Sequence, residues 1–232
     1  MKKIWALIFS IIIGIPAFCA EPDNTGLDEL DKNGLLLANP LPEKEAVLIR
    51  KFQEKEGTSL LNGDIKKLNQ RYRHEPITVE KLRGGEVLVV TIPASLLFTP
   101  NDTLLRDNAW RALAPFKRFL RDPDMYWVIL DMHSDNTGNT AYTDQLTLER
   151  VTSVFDWFMN QGCNTNFLFP TASGSWDPLP GVDNLSMKNR ARNRRLEIYL
   201  VPGRKMLDEA KKGRIIFGKQ DIKNAVLDSA SI

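Results

Sequence analysis

Apolar and polar positions change period several times along this chain, and each change marks an element. Ile77-Thr-Val-Glu-Lys-Leu82 alternates apolar with polar residues, and Glu86-Val-Leu-Val-Val-Thr-Ile92 is β-branched and apolar. Arg83-Gly84-Gly85 between them reads as a turn, so the pair predicts a β-hairpin, closed off by Pro93 and Pro100. The spacing then becomes helical. Over residues 102–121, Leu105, Ala109, Leu113, Phe116 and Leu120 share one face, with Asn101 or Asp102 as cap and Asp122-Pro123-Asp124 as stop. Tyr126–Met132 is an apolar strand. Residues 141–161 form a second helix with Leu148, Val151, Phe155 and Phe158 as its buried stripe and Gly162 as its C-terminal cap. Phe167-Leu-Phe169 is a short strand, residues 170–187 are a long loop rich in Pro, Gly, Ser and Asp, and Arg195–Val201 alternates as the last strand.

This order predicts an α+β fold, a two-layer sandwich. A β-hairpin is followed by βαβαβ-type order, giving a mixed sheet with helices on one face. Ahead of it, residues 43–73 have helix-forming composition. Leu61, Ile65, Leu68 and Tyr72 recur at helical spacing, which suits a helix packed on the main domain. The chain divides into a targeting segment (1–20), a linker and helical region (21–76), the main domain (77–202) and a charged tail of weak helical character (203–232).

Composition narrows the function classes. A chain of 232 residues with 43% hydrophobic content suits one globular domain with extensions. A net charge of +2 says nothing about a polyanionic partner, so any basic effect must be local. Two cysteines and two histidines are too few for a Cys/His zinc site, and no cofactor is expected. Lys2 and Lys3 precede an uncharged apolar run, Ile4–Phe18, which is short for a membrane span. This reads as a secretory signal peptide removed after Cys19 or Ala20. The alternative is lipidation of Cys19, which would associate the protein with the outer membrane. If Cys19 departs, Cys163 is alone and reads as a small buried hydrophobe.

The chemistry concentrates in YWVILDMHSDNTGNTAYTDQLTLER, residues 126–150. A strand ends in His133-Ser134-Asp135, a polar turn follows, and a helix delivers Arg150. An acceptor-only carboxylate and a forked guanidinium can hold the two charges of one zwitterion, or they can form an ordinary salt bridge. His133 reads as a structural hydrogen-bonding residue, since no nucleophile pairs with it. Trp176, in the 170–187 loop, either covers a sugar or peptide or anchors the loop on the domain.

Asp131-Met-His133-Ser-Asp135-Asn-Thr-Gly138, then Tyr142, Leu146-Thr147 and Arg150, resembles the signature of the OmpA C-terminal-like family, shared with Pal and MotB. Asn189-Arg-Ala-Arg-Asn193-Arg194-Arg195-Leu196-Glu197-Ile198 is similar to that family's terminal strand, so the resemblance covers about residues 77–202. It implies a non-enzymatic protein that binds peptidoglycan through the diaminopimelate residue of the stem peptide. By that resemblance Asp135 holds the ligand ammonium and Arg150 its carboxylate. Asn136, Thr137, Thr143, Arg194 and Arg195 line the same pocket. Alternation groups Arg195 with Glu197 and Tyr199 but leaves open which face binds. The sequence departs from the family pattern at Met132 (usually Gly), Ser134 (usually Thr) and Thr143 (commonly Asn). The implied location is the periplasm, or the periplasmic face of the outer membrane, of a Gram-negative bacterium. Two alternatives stand beside this reading: a structural subunit of an envelope machine that uses the domain as its anchor, and a peptidoglycan hydrolase. Nucleic acid is not expected, because no aromatic residues interleave with the basic NRARNRR run and the protein is exported.

Overall fold

The computed structural model describes residues 41–217, so the targeting segment, the linker before residue 41, Cys19 and the end of the tail lie outside the described residues. Five strands form one sheet: β1 (Thr78–Leu82), β2 (Val87–Pro93), β3 (Tyr126–His133), β4 (Leu168–Gly174) and β5 (Arg195–Pro202). Their spatial order is β1-β2-β5-β3-β4. Only the β3–β4 pair is parallel. The expected mixed sheet is present, and the hairpin turns at Arg83–Gly85 as the Gly-Gly pair required, with Gly84 at φ 66°.

The helices are α1 (Glu43–Ser59), α2 (Lys66–Arg71), α3 (Trp110–Leu113), α4 (Thr140–Asn160), α5 (Met187–Asn193) and α6 (Arg204–Lys211). Strand alternation decides where they pack. Leu88, Val90, Ile92, Val128, Leu130, Met132, Leu196, Ile198 and Leu200 all enter one core with Ile49, Leu113, Val151, Val154, Phe158, Met206 and Ala210 from the helices. All the apolar helix faces thus meet one side of the sheet, as the binary pattern predicts. α4 ends as expected: Gly162 (φ 71°) follows the helix, with Gly162 N–H to Met159 O and Cys163 N–H to Phe158 O closing a Schellman motif.

Four local expectations are corrected. The helix predicted over 102–121 starts only at Trp110 and continues as a 3-10 segment, Ala114–Leu120. Pro115 has no N–H to give an α-turn. Upstream, the Asp102 carboxylate accepts from Leu104 N–H and from the Thr99 hydroxyl, while Arg106 N–H reaches back to Leu97 O. The stripe of α4 is centred on Val151, Val154 and Phe158, with Phe155 only partly buried. β4 runs on through Pro170 to Gly174, where a loop was expected. It is an edge strand, where a missing N–H is tolerated, and the Thr171 hydroxyl bonds Leu130 O at 3.1 Å. In the N-terminal helices, a π-helical turn at Leu60–Asp64 shifts the phase, so Leu60 and Ile65 are buried and Leu61 is exposed.

The core extends on both sides of residues 77–202. Ile49, Leu60 and Ile65 precede that span, and Met206 and Ala210 follow it. Gln53 of α1 is buried and gives its amide N–H groups to Glu86 O (3.0 Å) and Leu200 O (3.1 Å), while accepting from the Tyr126 hydroxyl (3.1 Å). Phe217 packs on Phe52, Phe119 and Tyr126. We expect Gln53→Ala to cost about 2–4 kcal/mol in urea unfolding, because three buried partners lose their bonds together. A loss within error would show that Gln53 is dispensable to the core.

The other face of the sheet has two halves. One is apolar: Val87, Trp127, Ile129 and Val201, with Phe167 and Phe169 beside them. The other is ionic. His133 is fully buried, with Nε2 3.3 Å from Asp131 Oδ2 and 3.6 Å from Glu197 Oε2. Neither contact meets hydrogen-bond geometry, so His133 is held by ion pairing rather than by directed hydrogen bonds. Arg195 Nε donates to Glu197 Oε1 at 2.6 Å, the Tyr199 hydroxyl donates to the other Glu197 oxygen, and the Ser173 hydroxyl donates to Asp131 at 2.7 Å. Burial opposes the imidazolium, but the Asp131 and Glu197 carboxylates outweigh it and raise the His133 pKa to about 9. Burial likewise opposes the Glu197 anion, and His133 with Arg195 brings its pKa down to about 2. A histidine raised from 6.5 contributes stability that is fully present below pH 6.5 and is lost as pH rises through about 9. Urea titrations across that window are expected to show stability falling with pH, and His133→Gln is expected to be less stable but to lose that component of the slope. An unchanged slope would contradict the charged assignment.

Candidate functional site

β3 leaves the sheet at His133, and Ser134 N–H bonds Gly174 O at 2.6 Å, which holds the departing chain against the end of β4. Asp135 follows immediately. Its carboxylate accepts from Thr137 N–H at 2.8 Å, an Asx-type turn that reverses the chain toward α4. Gly138, at φ 95°, completes the turn; a Cβ there would lie 2.9 Å from Cδ1 of Tyr142. Asn139 caps α4 by accepting from Tyr142 N–H at 2.8 Å.

Asp135 is buried and forms an ion pair with Arg194, the residue just before β5. Burial alone would raise its pKa. The hydroxyl and N–H of Thr137 and the Arg194 guanidinium outweigh burial and hold the carboxyl below its usual range. Arg194 is partly exposed and closes over Asp135 from the solvent side.

Arg150 reaches the same region from the third turn of α4 and is only 3% exposed. Its Nε donates to Asp102 O at 2.9 Å and Nη2 to Thr99 O at 3.3 Å, and the guanidinium lies 4.9 Å from the centroid of Phe98. No carboxylate among the described residues is within ion-pair distance of it. Burial therefore lowers its pKa, and the charge of Arg194 adds to this, whereas Tyr142, Asp102 and Asp135 pull the other way. The guanidinium stays charged. The result is a buried cation held by carbonyls and a ring, close enough to Asp135 and Arg194 to feel both.

Asp135, Arg150 and Arg194 are thus brought together. Asn136 and Thr137 are exposed on the turn beside them. Thr143 is buried on α4; its hydroxyl donates to Thr140 O at 3.0 Å and lies 3.4 Å from Ser175 Oγ, so it holds the helix start to the loop after β4. Arg195 is not brought to Asp135. It lies on the opposite face of the sheet with Glu197, and its Nη2 donates to Asp177 O at 3.2 Å. Phe98 and the carbonyls of Thr99 and Asp102 escape sequence reasoning, because a backbone acceptor leaves no residue signature. Asn193 is another organiser of the site. Fully buried, it accepts from Leu179 N–H and donates to Val182 O and Asn184 Oδ1, which fastens the 175–186 loop next to Arg194.

No family model matches the chain. Over 116 residues it is 28% identical to Outer membrane protein A of Bordetella avium, covering 50% of this chain and 59% of that protein. Over 139 residues it is 22% identical to the probable lipoprotein YiaD of Escherichia coli, covering 60% of this chain and 63% of that protein. The chain thus spans less than two thirds of the length of these curated relatives. Among solved structures, the cell wall anchor of the T6SS from Pseudomonas aeruginosa is 25% identical with a TM-score of 0.51, covering 63% of this chain and 96% of that one. A putative MotB-like protein from Desulfovibrio vulgaris shares the fold, with a TM-score of 0.57 at 23% identity, covering 69% of this chain and 96% of that one. With the mixed sheet and the sequence signature, these relations support an OmpA-like domain in the folded part of this chain, which is similar in sequence to Outer membrane protein A and in fold to the two solved structures.

Proposed function

We propose that this protein anchors non-covalently to peptidoglycan, and that Asp135, Arg150 and Arg194 receive the zwitterionic end of diaminopimelate in the stem peptide. The observation that carries this reading is a buried carboxylate paired with a surface arginine, next to a buried arginine that no carboxylate neutralises. Two cations against one anion leave the site one positive charge in excess, in partly low-dielectric surroundings that favour an entering carboxylate. A zwitterion completes the set by exchange. Its ammonium takes an oxygen of Asp135, and its carboxylate takes Arg194 and the free edge of Arg150. A carboxylate has lone pairs enough to keep the Thr137 N–H while doing so. Arg194, on the solvent side, is the group that swings.

The relatives named for the outer membrane, for lipoproteins and for a cell wall anchor support an envelope location, in the periplasm or on the periplasmic face of the outer membrane. Tethering through Cys19 and an anchor role within a larger envelope assembly are extensions of the same reading. A hydrolase is disfavoured by His133, which is fully buried between two carboxylates rather than beside a nucleophile.

The secreted chain is expected to co-sediment with diaminopimelate-containing sacculi, and more weakly as salt rises. Asp135→Asn, which keeps shape but not charge, should weaken binding at least about tenfold. Asp135→Ala combined with Arg150→Ala should abolish binding to the free stem peptide and weaken co-sedimentation further. A double variant that retains its circular dichroism and still co-sediments fully would overturn the assignment.

A further inference from the structure

Among the described residues, the four most exposed large apolar side chains, Leu104, Trp176, Leu185 and Met187, all lie in connections that leave the sheet at the Asp135 end. Trp176 differs from the others in presenting a flat aromatic ring. It is 58% exposed, yet the backbone on both sides of it is held. Trp176 N–H donates to Ser173 O at 3.1 Å, Ser175 Oγ lies 3.4 Å from Thr143 Oγ1 on α4, and Asp177 O accepts from buried Arg195 at 3.2 Å.

The indole edge rests over Gly174. A Cβ built there would lie 3.4 Å from Trp176 Cδ1 and 2.0 Å from Asp144 Oδ1, so the bare backbone at φ 52° is what admits both side chains. Gly174 O accepts the N–H of Ser134, which places this turn one residue from Asp135. The exposed ring is therefore a fixed feature beside the charged pocket. Its neighbours Thr143, Asp144, Ser175 and Asp177 are polar, and the Asp177 carboxylate is half exposed with one oxygen 3.9 Å from Arg195 Nη2. A lone flat ring in a polar border does not suit an apolar protein surface, which needs contiguous apolar area. It does suit a ligand with one apolar face and a hydrogen-bonding rim.

A pyranose is such a ligand, with C–H groups on its face and hydroxyls around its edge. We propose that Trp176 is a saccharide-stacking platform and that Asp177 accepts hydroxyl hydrogens from the same sugar. This deepens the wall-binding reading and rests on it: the glycan strand lies on Trp176 while the attached peptide enters the Asp135 pocket. The ring contributes contact area at low conformational cost, and the carboxylate acts purely as an acceptor.

The test uses the secreted chain and three probes: intact sacculi, glycan strands stripped of their peptides by an amidase, and free diaminopimelate stem peptide. Trp176→Ala is expected to weaken binding to sacculi about tenfold, to lose binding to stripped glycan, and to leave stem-peptide affinity unchanged. Trp176→Phe, which keeps a ring, is expected to retain most of the glycan binding. Asp135→Asn should show the reverse pattern, losing peptide and keeping glycan. If wild type binds sacculi but not stripped glycan, or if Trp176→Ala binds both as wild type does, the platform is refuted while wall binding stands. If wild type binds none of the three probes, the wall-binding reading fails and the platform with it. The Trp176 indole N–H signal, assigned by its disappearance in Trp176→Phe, gives a second readout. It should shift on adding stripped glycan and stay still on adding stem peptide; the opposite pattern would refute the platform.

Discussion

The antiparallel register of β3 against β5, with His133 opposite Arg195, is the constraint on which the site depends. It brings the chain leaving β3 alongside the chain entering β5, so Asp135 and Arg194 meet although 59 residues separate them. The two-residue period of β5 then separates adjacent arginines. Arg194 stands at the end of the strand on the pocket side, whereas Arg195 turns to the outer face and joins Glu197 and His133. A slip of one residue would exchange them, and it would also move Leu196, Ile198 and Leu200 out of the core. The apolar alternation of the strand therefore protects the placement of the charge.

Two arrangements of buried charge follow, and they differ in kind. On the outer face, His133, Arg195, Asp131 and Glu197 balance one another, and the shifted pKa values of His133 and Glu197 record that mutual stabilisation. That cluster is complete and needs no ligand. At the pocket, burial of Arg150 is compensated by carbonyl dipoles and the Phe98 ring, which stabilise a cation without cancelling its charge. The fold thus carries one ionic group that is balanced and one that keeps a net positive charge.

The helices outside the signature region belong to the same structure. α1 and α6 pack on the sheet's helical side, and Gln53 ties α1 to the backbones of the β2 and β5 regions through Glu86 O and Leu200 O. A shift of α1 would break buried hydrogen bonds as well as apolar contacts, which couples the N-terminal segment to the sheet that carries the site.

The amino-acid order alone determined the sheet-and-helix composition, the hairpin, the polarity of each strand face, the Gly162 helix stop and the Asp135-to-Arg150 interval. These depend on periods of two and 3.6 residues and on glycine geometry, which are local properties. Tertiary structure decided the rest. The 102–121 stretch has helical periodicity, but Asp102 and the demand of Arg150 for carbonyl acceptors keep its first half irregular, and Pro115 turns its second half 3-10. Pro170–Gly174 has loop composition, but an edge position admits it as strand. Arg194 and Arg195 are equivalent in sequence, and only the β3–β5 register tells them apart. The neutralisation state of Arg150 was likewise illegible, because its partners are backbone oxygens and a ring, brought from about 50 residues away by packing rather than by any pattern in the chain.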